Sequence, residues 1–222
     1  MNDRHPPQTT IALSTGVKLK GFLEGTDQGS GLIVFVHGSG SSRFSNRNTR
    51  VAQFLRASGF ATLLMDLLTT SEDQVDAITR ELRFNIPLLA QRVSGTLDWL
   101  ATQEQVRQAP IGLFGASTGA AAALICAASQ PARVKAVVSR GGRPDLAGDA
   151  LAAVHVPTLL IVGGDDTQVL ELNRMAMSRI PAQTQLVTIE GATHLFEEPG
   201  ALDEVARHAA DWFKHYLGAP TA

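Results

Sequence analysis

A serine lies between two glycines where the sequence changes from one periodic pattern to another. In PIGLFGASTGAAAALICAAS, residues 110–129, an apolar strand pattern ends at Gly115 and an alanine-rich helix pattern begins after Ser117. G-x-S-x-G between a strand and a helix is the nucleophile-elbow pattern, a turn so tight that only small residues fit two positions either side of the serine. The turn exposes the hydroxyl above the helix N–H groups. We predict that Ser117 is a nucleophile; the alternative is a plain tight turn.

A serine hydroxyl needs a base to remove its proton, and histidine is the usual one. The chain has six histidines, of which His194, in IEGATHLFEEPG, lies between the last strand pattern and the last helix pattern. The other five lie in the N-terminal tail, in other loops or within the last helix: His5, His37, His155, His208 and His215. We predict His194 as the general base; the alternative is a loop histidine with local hydrogen bonds.

The base in turn needs a carboxylate that orients its ring and stabilises the imidazolium. Two adjacent candidates, Asp165 and Asp166, follow the apolar run of LLIVGGDDTQV. Either aspartate could instead serve the turn itself, since aspartate is common in turns. The residues alone leave this choice open.

Acyl transfer also needs donors for the negative oxygen that forms on the carbonyl carbon. One predicted donor is the backbone N–H of Thr118, directly after the serine. The second is assigned to Ser39 in HGSGSS, with Gly40 as the runner-up, and His37 is predicted to hold this loop. The alternative for HGSGSS is a flexible turn.

The elements that would position these residues alternate along the chain. Short apolar runs typical of buried strands occupy 31–38, 60–68, 111–117, 134–139, 157–164 and 185–191. Apolar residues recur at helical spacing from Ile86 to Leu100 and from Leu202 to Tyr216. This alternation predicts an α/β fold with a mostly parallel, doubly wound sheet and helices on both faces. In such sheets reactive groups gather at the carboxyl ends of the strands, where the candidates above lie.

A single domain accounts for the pattern. We predict flexible tails at 1–10 and 218–222, one domain at 11–217, and an antiparallel edge hairpin within 9–25. Only about fifteen residues separate AVVSRGG from VPTLL, which leaves no room there for a large cap domain. The site should therefore be shallow and open.

The composition narrows the classes of function. The 222 residues are 44% hydrophobic and 18% charged with a formal net charge of −2, which gives no electrostatic footprint for nucleic acid or an anionic membrane. The one cysteine, Cys126, excludes an internal disulfide framework and a multi-cysteine zinc site. Neither a signal-peptide core nor a membrane-spanning apolar stretch is present. We predict a cytoplasmic protein that needs no metal or cofactor and whose partner is a small-molecule acyl substrate; a homodimer stays open.

With these motifs in this order, residues 10–217 resemble the α/β-hydrolase superfamily. The segments HGSGSSRFSNRN, FGASTGAAAAL, SRGGRPDLAG and GATHLFEEPG are similar to the dienelactone-hydrolase-like group, some members of which are joined to a phosphoribosyltransferase domain. The resemblance implies an α/β-hydrolase fold without a large cap. It also implies a catalytic triad and two oxyanion donors: Ser117, Asp166 and His194, with Ser39 and Thr118.

The resemblance also bears on the two adjacent aspartates. G-x-x-D-x-x-V, from Gly163 to Val169, is a common acid-turn pattern of that fold, and it selects Asp166. Asp165 is then free to cap the helix that follows.

The chain departs from the group at the nucleophile. Dienelactone hydrolases proper carry cysteine at the position of Ser117, whereas Cys126 lies inside the following helix and is predicted to be a packing residue. A serine suits general ester hydrolysis. We therefore predict a carboxylesterase-like serine hydrolase of small esters, thioesters or lactones. The alternatives are a peptidase, acyltransferase or perhydrolase with the same triad, and a non-catalytic binding module with this fold.

Three more residues are candidates for substrate binding. Gly40 and Arg43 follow a strand in HGSGSSR, and Arg140 ends another in AVVSR. A guanidinium can bind a carboxylate in bidentate fashion. The alternative is that these side chains only tie down loops, and Glu197 and Glu198 are predicted to be surface or helix-start charges.

Overall fold

The computed structural model describes residues 6–27 and 29–218. Eight strands lie in this part of the chain: β1 Gln8–Ala12, β2 Lys18–Glu24, β3 Leu32–Val36, β4 Ala61–Met65, β5 Ile111–Ala116, β6 Val134–Arg140, β7 Thr158–Gly163 and β8 Thr184–Ile189. Six α-helices connect or follow them: α1 Asn46–Ala57, α2 Thr70–Thr79, α3 Ile86–Leu100, α4 Thr118–Ser129, α5 Thr167–Met177 and α6 Ala201–Leu217. Short 3₁₀ segments occupy Leu82–Phe84 and Pro144–Ala153.

The strands form one sheet in the order β1-β2-β4-β3-β5-β6-β7-β8. β1 and β2 are antiparallel to each other, and β2 is antiparallel to β4, while the strands from β4 to β8 are parallel. The predicted edge hairpin and the mostly parallel sheet are confirmed. Because β3 lies between β4 and β5, the loops after β3 and β5 meet at the point where the strand order reverses.

The core lies on both faces of the sheet, as continuous apolar strands require. Successive residues of one strand enter different cores. Phe35 of β3 joins Phe114 and Phe213 beneath α1 and α6, and the rings of Phe35 and Phe114 lie 4.9 Å apart. Val34 and Leu113 belong to the opposite core, beneath α3 and α4.

Helix α4 is buried along most of its length. The four alanines from Ala120 to Ala123 are fully excluded from solvent. A Cβ added at Gly115 would lie 2.5 Å from the Cα of Ala120, so the strand and the helix contact each other backbone to backbone. The small residues around Ser117 therefore set the sharpness of the turn, as predicted.

The predicted N-terminal tail is too long. Residues 1–5 lie outside the described part of the chain, but β1 begins at Gln8, because Gln8 to Ala12 pair with Phe22 to Lys18 of β2 and bury Ile11. The predicted C-terminal tail begins at Gly218, which follows α6, and residues 219–222 lie outside the description.

The connection between β6 and β7 contains only the 3₁₀ segment Pro144–Ala153, in agreement with the expected lack of a large cap. Within the described ranges, no helix has both the length and the apolar character that a bilayer crossing requires.

Candidate active site

Ser117 occupies a strained position between β5 and α4. Its backbone angles are φ 49° and ψ −123°, a region that residues with a Cβ rarely adopt, at a cost on the order of 1–3 kcal/mol. A Cβ added at Gly119 would lie 2.2 Å from the carbonyl oxygen of Val36, so only glycine allows this approach. The turn is held on both sides: the Ser117 N–H donates to the carbonyl of Arg140, and the Arg143 N–H donates to the carbonyl of Ser117. The predicted elbow geometry is present.

The loops after β7 and β8 bring Asp166 and His194 together. The Nδ1 atom of His194 lies 2.6 Å from Oδ2 of Asp166, a distance typical of a charge-assisted hydrogen bond. The Asp166 side chain is 15% exposed and that of His194 is 39% exposed, so the carboxylate is withdrawn while the ring reaches the surface. A carboxylate in this position holds the proton on Nδ1 and leaves Nε2 free to accept another.

The structure separates the two adjacent aspartates. Asp166 is the N-cap residue of α5, but its side chain makes no capping bond because it contacts His194. Asp165 is exposed, and its backbone N–H donates to the carbonyl of Ala192. The expectation that Asp165 caps the helix is therefore wrong, because the chain turns one residue later than a cap at Asp165 would need.

The backbone around Gly141, directly after β6, contacts the segments that carry Ser117 and His194. Gly141 follows Arg140, whose carbonyl accepts the Ser117 N–H. A Cβ added at Gly141 would lie 3.1 Å from the carbonyl oxygen of His194 and 3.6 Å from its Nδ1. The nucleophile candidate and the base candidate thus flank the same short stretch at the end of β6.

The loop that carries His194 is held by Glu198, which the sequence predicts to be a surface or helix-start charge. Oε1 of Glu198 accepts hydrogen bonds from the Thr193 N–H at 3.0 Å and from the Thr193 hydroxyl at 2.5 Å. The bond from the hydroxyl lowers the pKa of Glu198 below its usual value. Phe196 in the same loop is buried with a φ of 56°. In the sequence, the only sign of this contact is that Thr193 and Glu198 lie five residues apart.

The loop after β3 is held by His37, as predicted. Its Nε2 accepts a hydrogen bond from the Leu67 N–H at 3.1 Å, so Nδ1 carries the proton and donates to the carbonyl of Gly38 at 2.9 Å. Burial lowers the pKa of His37 below its usual value, and the neutral ring required by these two bonds is thereby favoured. His37 is confirmed as a structural residue that ties the loops after β3 and β4 together.

The predicted oxyanion donors lie side by side. A Cβ added at Gly38 would lie 2.9 Å from Cβ of Ser117, so the loop passes directly over the elbow. The N–H of Thr118 is the first of α4 and has no partner within the helix. The N–H of Ser39, by contrast, donates to the hydroxyl oxygen of Thr118 at 2.9 Å.

A cavity of about 300 Å³ begins at this loop. It is lined by residues 37–44 and 66–70, by parts of the β4–α3 connection, by Lys20 of β2 and by Leu89 of α3, and it mixes leucines with charged side chains. Gly40 lines it, and a Cβ there would lie 3.4 Å from Nη1 of Arg83. Arg83 in turn binds the buried carboxylate of Asp76 at 2.6 Å.

Arg43 lines the same cavity, but its side chain is engaged within the protein. Its N–H donates to Oδ1 of Asp66 at 2.8 Å, and its guanidinium forms an ion pair with the same carboxylate. The guanidinium carbon also lies 4.2 Å from the ring centre of Phe44. The substrate-binding role of Arg43 stays a prediction, with the Asp66 pair as its competing partner.

Arg140 lies apart from this cavity. Arg140 as a whole residue is 8% exposed, and its Nη2 donates to Oδ1 of Asn48 in α1 at 3.3 Å. Burial, with a further contribution from Arg47, lowers the pKa of Arg140 to about 10. A substrate-binding role for Arg140 stays a prediction, while its observed contact is with α1.

Comparisons with known proteins agree with this architecture. The profile of the Dienelactone hydrolase family matches residues 20–217. A solved structure, the dienelactone hydrolase from Anabaena variabilis, is 52% identical with a TM-score of 0.91 and covers 96% of this chain and 100% of its own. Est1E from Butyrivibrio proteoclasticus has a TM-score of 0.77 at 16% identity over 94% of this chain and 98% of its own, which is a likeness of fold.

Curated relatives are longer. Two Mycobacterium tuberculosis proteins, provisionally named phosphoribosyl transferases, are 54% identical over 204 residues. The match covers 92% of this chain and 45% of each relative, so the chain spans about half the length of the curated relatives it matches. The family profile and the Anabaena structure together show that this chain belongs to the dienelactone hydrolase family, with the α/β-hydrolase fold of that family.

Proposed function

We propose that this chain is a cytoplasmic serine hydrolase that cleaves small carboxylic esters, thioesters or lactones through an acyl-enzyme. The observation that carries the proposal is the 2.6 Å contact between His194 and Asp166, at the strand edge where Ser117 lies in a strained elbow. Strained backbone at such an edge is a feature of functional sites. Membership of a hydrolase family supports the same class of reaction.

In the proposed first step, His194 Nε2 accepts the proton of Ser117 as its oxygen attacks the substrate carbonyl carbon. Asp166 holds the His194 ring and stabilises the imidazolium. N–H groups at the start of α4, that of Thr118 included, and the loop at Ser39 stabilise the negative oxygen. The tetrahedral intermediate collapses, and the leaving alkoxide takes the proton from His194. Water then attacks the acyl-serine by the same route in reverse.

The cavity beside the loop at Ser39 is the proposed place for one part of the substrate. Its volume of about 300 Å³ suits a short or ring-sized group and not a long chain. The leucines in its wall, Leu67, Leu68 and Leu89, favour an apolar group near the loop at Ser39. The partner we propose is therefore a small-molecule acyl compound.

The test is hydrolysis of a panel of p-nitrophenyl esters of increasing acyl length, together with simple lactones, by the parent protein and by Ser117→Ala. We expect turnover by the parent that falls to a small residual rate in Ser117→Ala, and a decline as the acyl chain grows. Undiminished hydrolysis by Ser117→Ala would remove Ser117 as the nucleophile.

A fluorophosphonate probe separates this proposal from a non-catalytic binding module. The probe forms a covalent bond with an activated serine, so we expect labelling of the parent at Ser117 and none of Ser117→Ala. Failure to label the folded parent would favour the binding module. Peptidase and acyltransferase activity share the acyl-enzyme, and added peptides or alcohols in the same assay distinguish them.

A further inference from the structure

The hydroxyl group of Thr118 lies between the two predicted oxyanion donors. The Ser39 N–H donates to Oγ1 of Thr118 at 2.9 Å, although the two residues are 79 positions apart in the sequence. Thr118 is 5% exposed, so this bond is sheltered from water. The Ser39 N–H, the second predicted oxyanion donor, thus points at the Thr118 side chain.

The backbone contacts around this bond keep it in place. Gly38 contacts Ser117 so closely that a Cβ there would lie 2.9 Å from the serine Cβ. On the other side, a Cβ at Gly119 would lie 2.2 Å from the carbonyl oxygen of Val36 and 2.4 Å from that of His37. The bond between Ser39 and Thr118 therefore lies where the loop and the elbow are in close backbone contact on both sides.

The hydroxyl proton of Thr118 is available. A hydroxyl has one proton to donate and can accept two hydrogen bonds. Within residues 6–27 and 29–218 the Thr118 hydroxyl accepts the bond from Ser39 and donates none. A threonine inside a helix usually donates to a carbonyl in the preceding turn. Thr118 is the first residue of α4, so no preceding helical turn exists to take its proton.

We propose that the Thr118 hydroxyl is itself an oxyanion donor, so that Thr118 stabilises the negative oxygen with both its N–H and its O–H. The inference rests on the proposed function. In this arrangement the Ser39 N–H, which the proposed function counts among the oxyanion donors, acts instead through the hydroxyl as a positioning group: by donating to Oγ1 it fixes the rotamer and polarises the O–H.

The electron and proton balance of the step is simple. As the Ser117 oxygen bonds to the carbonyl carbon, the π electron pair of the carbonyl moves to its oxygen, and the Ser117 proton passes to His194. The Thr118 O–H donates a hydrogen bond to this oxygen and keeps its proton. When the carbonyl re-forms, the leaving oxygen takes the proton from His194.

The same contact admits an opposite role. Oγ1 of Thr118 lies within hydrogen-bond distance of the Ser39 N–H, where an oxyanion that used this donor would lie. In that case the hydroxyl is an obstacle that must rotate away, and its removal would leave activity unchanged or raise it. The two roles predict opposite results for the same variant.

The experiment compares Thr118→Val, Thr118→Ala and Thr118→Ser with the parent and with Ser117→Ala. Valine keeps the branched shape and the backbone N–H but lacks the hydroxyl, and serine restores the hydroxyl. We expect kcat for a p-nitrophenyl ester to fall about 100-fold in the valine and alanine variants with KM little changed, as for loss of one oxyanion donor. Thr118→Ser should recover most of this loss.

A trifluoromethyl ketone inhibitor provides the readout that a structural role would not change. Its adduct with the serine carries the tetrahedral negative oxygen, so its Ki should rise in Thr118→Val by the same factor as kcat/KM falls. The thermal unfolding midpoint checks that each variant is folded, and Thr118→Ala replaces Thr118→Val if the latter is not.

Parent-like or faster turnover by a folded hydroxyl-free variant overturns the proposal and leaves the proposed function intact. Full activity of Ser117→Ala overturns the proposed function, and the oxyanion assignment with it.

Discussion

The replacement Asp166→Asn tests the part of the site that depends on the contact with His194. Asparagine has the shape of aspartate but no charge. If its amide nitrogen faces Nδ1 of His194, the ring proton moves to Nε2, which can then no longer accept the Ser117 proton. If its amide oxygen faces Nδ1 instead, the geometry survives but the imidazolium loses its stabilising charge.

The structure indicates a large effect. The 2.6 Å separation is that of a charge-assisted bond, and the Asp166 side chain is only 15% exposed, so water replaces the lost charge poorly. We expect kcat to fall by about 10⁴, the loss known for the equivalent change in a serine protease. At about 1.36 kcal/mol for each tenfold change, this corresponds to roughly 5.4 kcal/mol in the activation barrier.

Asp165→Asn is the matched control. The substitution is chemically identical and one residue away, but the Asp165 side chain is exposed and the contact that Asp165 makes with Ala192 uses its backbone. We expect its kcat to stay close to that of the parent. Both variants are assayed on the best p-nitrophenyl ester, and their unfolding midpoints are compared to confirm that the fold is retained.

Two results would refute the reasoning. A large loss in Asp165→Asn with little change in Asp166→Asn would reverse the assignment of the carboxylate. Equal, small losses in both variants would mean that the contact between Asp166 and His194 does not serve catalysis. A further check uses the double variant with Ser117→Ala, in which removal of the Asp166 charge should cause no additional loss, because residues that act as one unit are not additive.

Two predictions concern the scaffold. Gly119→Ala places a Cβ 2.2 Å from a backbone carbonyl oxygen of β3 and should destabilise the protein by about 3 kcal/mol or more. Gly95→Ala lies inside α3 with only a flexible leucine end 3.2 Å from the added carbon, so it should be neutral or stabilise the protein by up to about 1 kcal/mol. Urea unfolding of both variants measures the difference, and similar midpoints would contradict the steric argument. Burial raises the pKa of Asp76, but hydrogen bonds from Arg83 and Leu82 outweigh burial and bring this pKa below its usual value. The ionised Asp76 carboxylate therefore stabilises the folded protein above about pH 4, and this stabilisation is lost as the pH falls through the folded-state pKa. Asp76→Asn should therefore cost about 2 kcal/mol near neutral pH, and its unfolding free energy should converge with that of the parent in acid; a gap independent of pH would contradict this origin.

The sequence was most informative where the signal is local. The predicted elbow and helix coincide with β5 and with α4 from Thr118 to Ser129, because a glycine-flanked serine between two apolar patterns leaves few other conformations. The candidates at other strand ends follow from the same rule, since parallel strands bring their carboxyl ends to one edge. His194 and Asp166 are 28 residues apart in the sequence, and their contact could be anticipated because each follows a neighbouring strand.

The surroundings of the cavity were less predictable. Helix α2 buries only the side chain of Asp76, so it lacks the apolar stripe by which helices are usually recognised. Its start does carry a readable signal, the capping box of Thr69 and Glu72. One of its attachments to the rest of the protein, the ion pair of Glu72 with Arg92 at 2.7 Å, is a tertiary contact that no local pattern contains.

The loop HGSGSS after β3 shows why a strand-end rule identifies residues better than it identifies bonds. The pattern HGSGSS assigns Ser39 to the oxyanion site, and in the structure Gly38 of this loop lies against Ser117 while Ser39 contacts Thr118. The direction of the Ser39 N–H, however, depends on the backbone angles of a loop with glycine on both sides, of which Gly40 has a φ of 69°. In the structure these angles direct the Ser39 N–H to the hydroxyl of Thr118. Under the proposed oxyanion role, Thr118 contributes its hydroxyl as well as the backbone N–H that the pattern assigns to it, and the identity of its side chain is then part of the chemistry of the site.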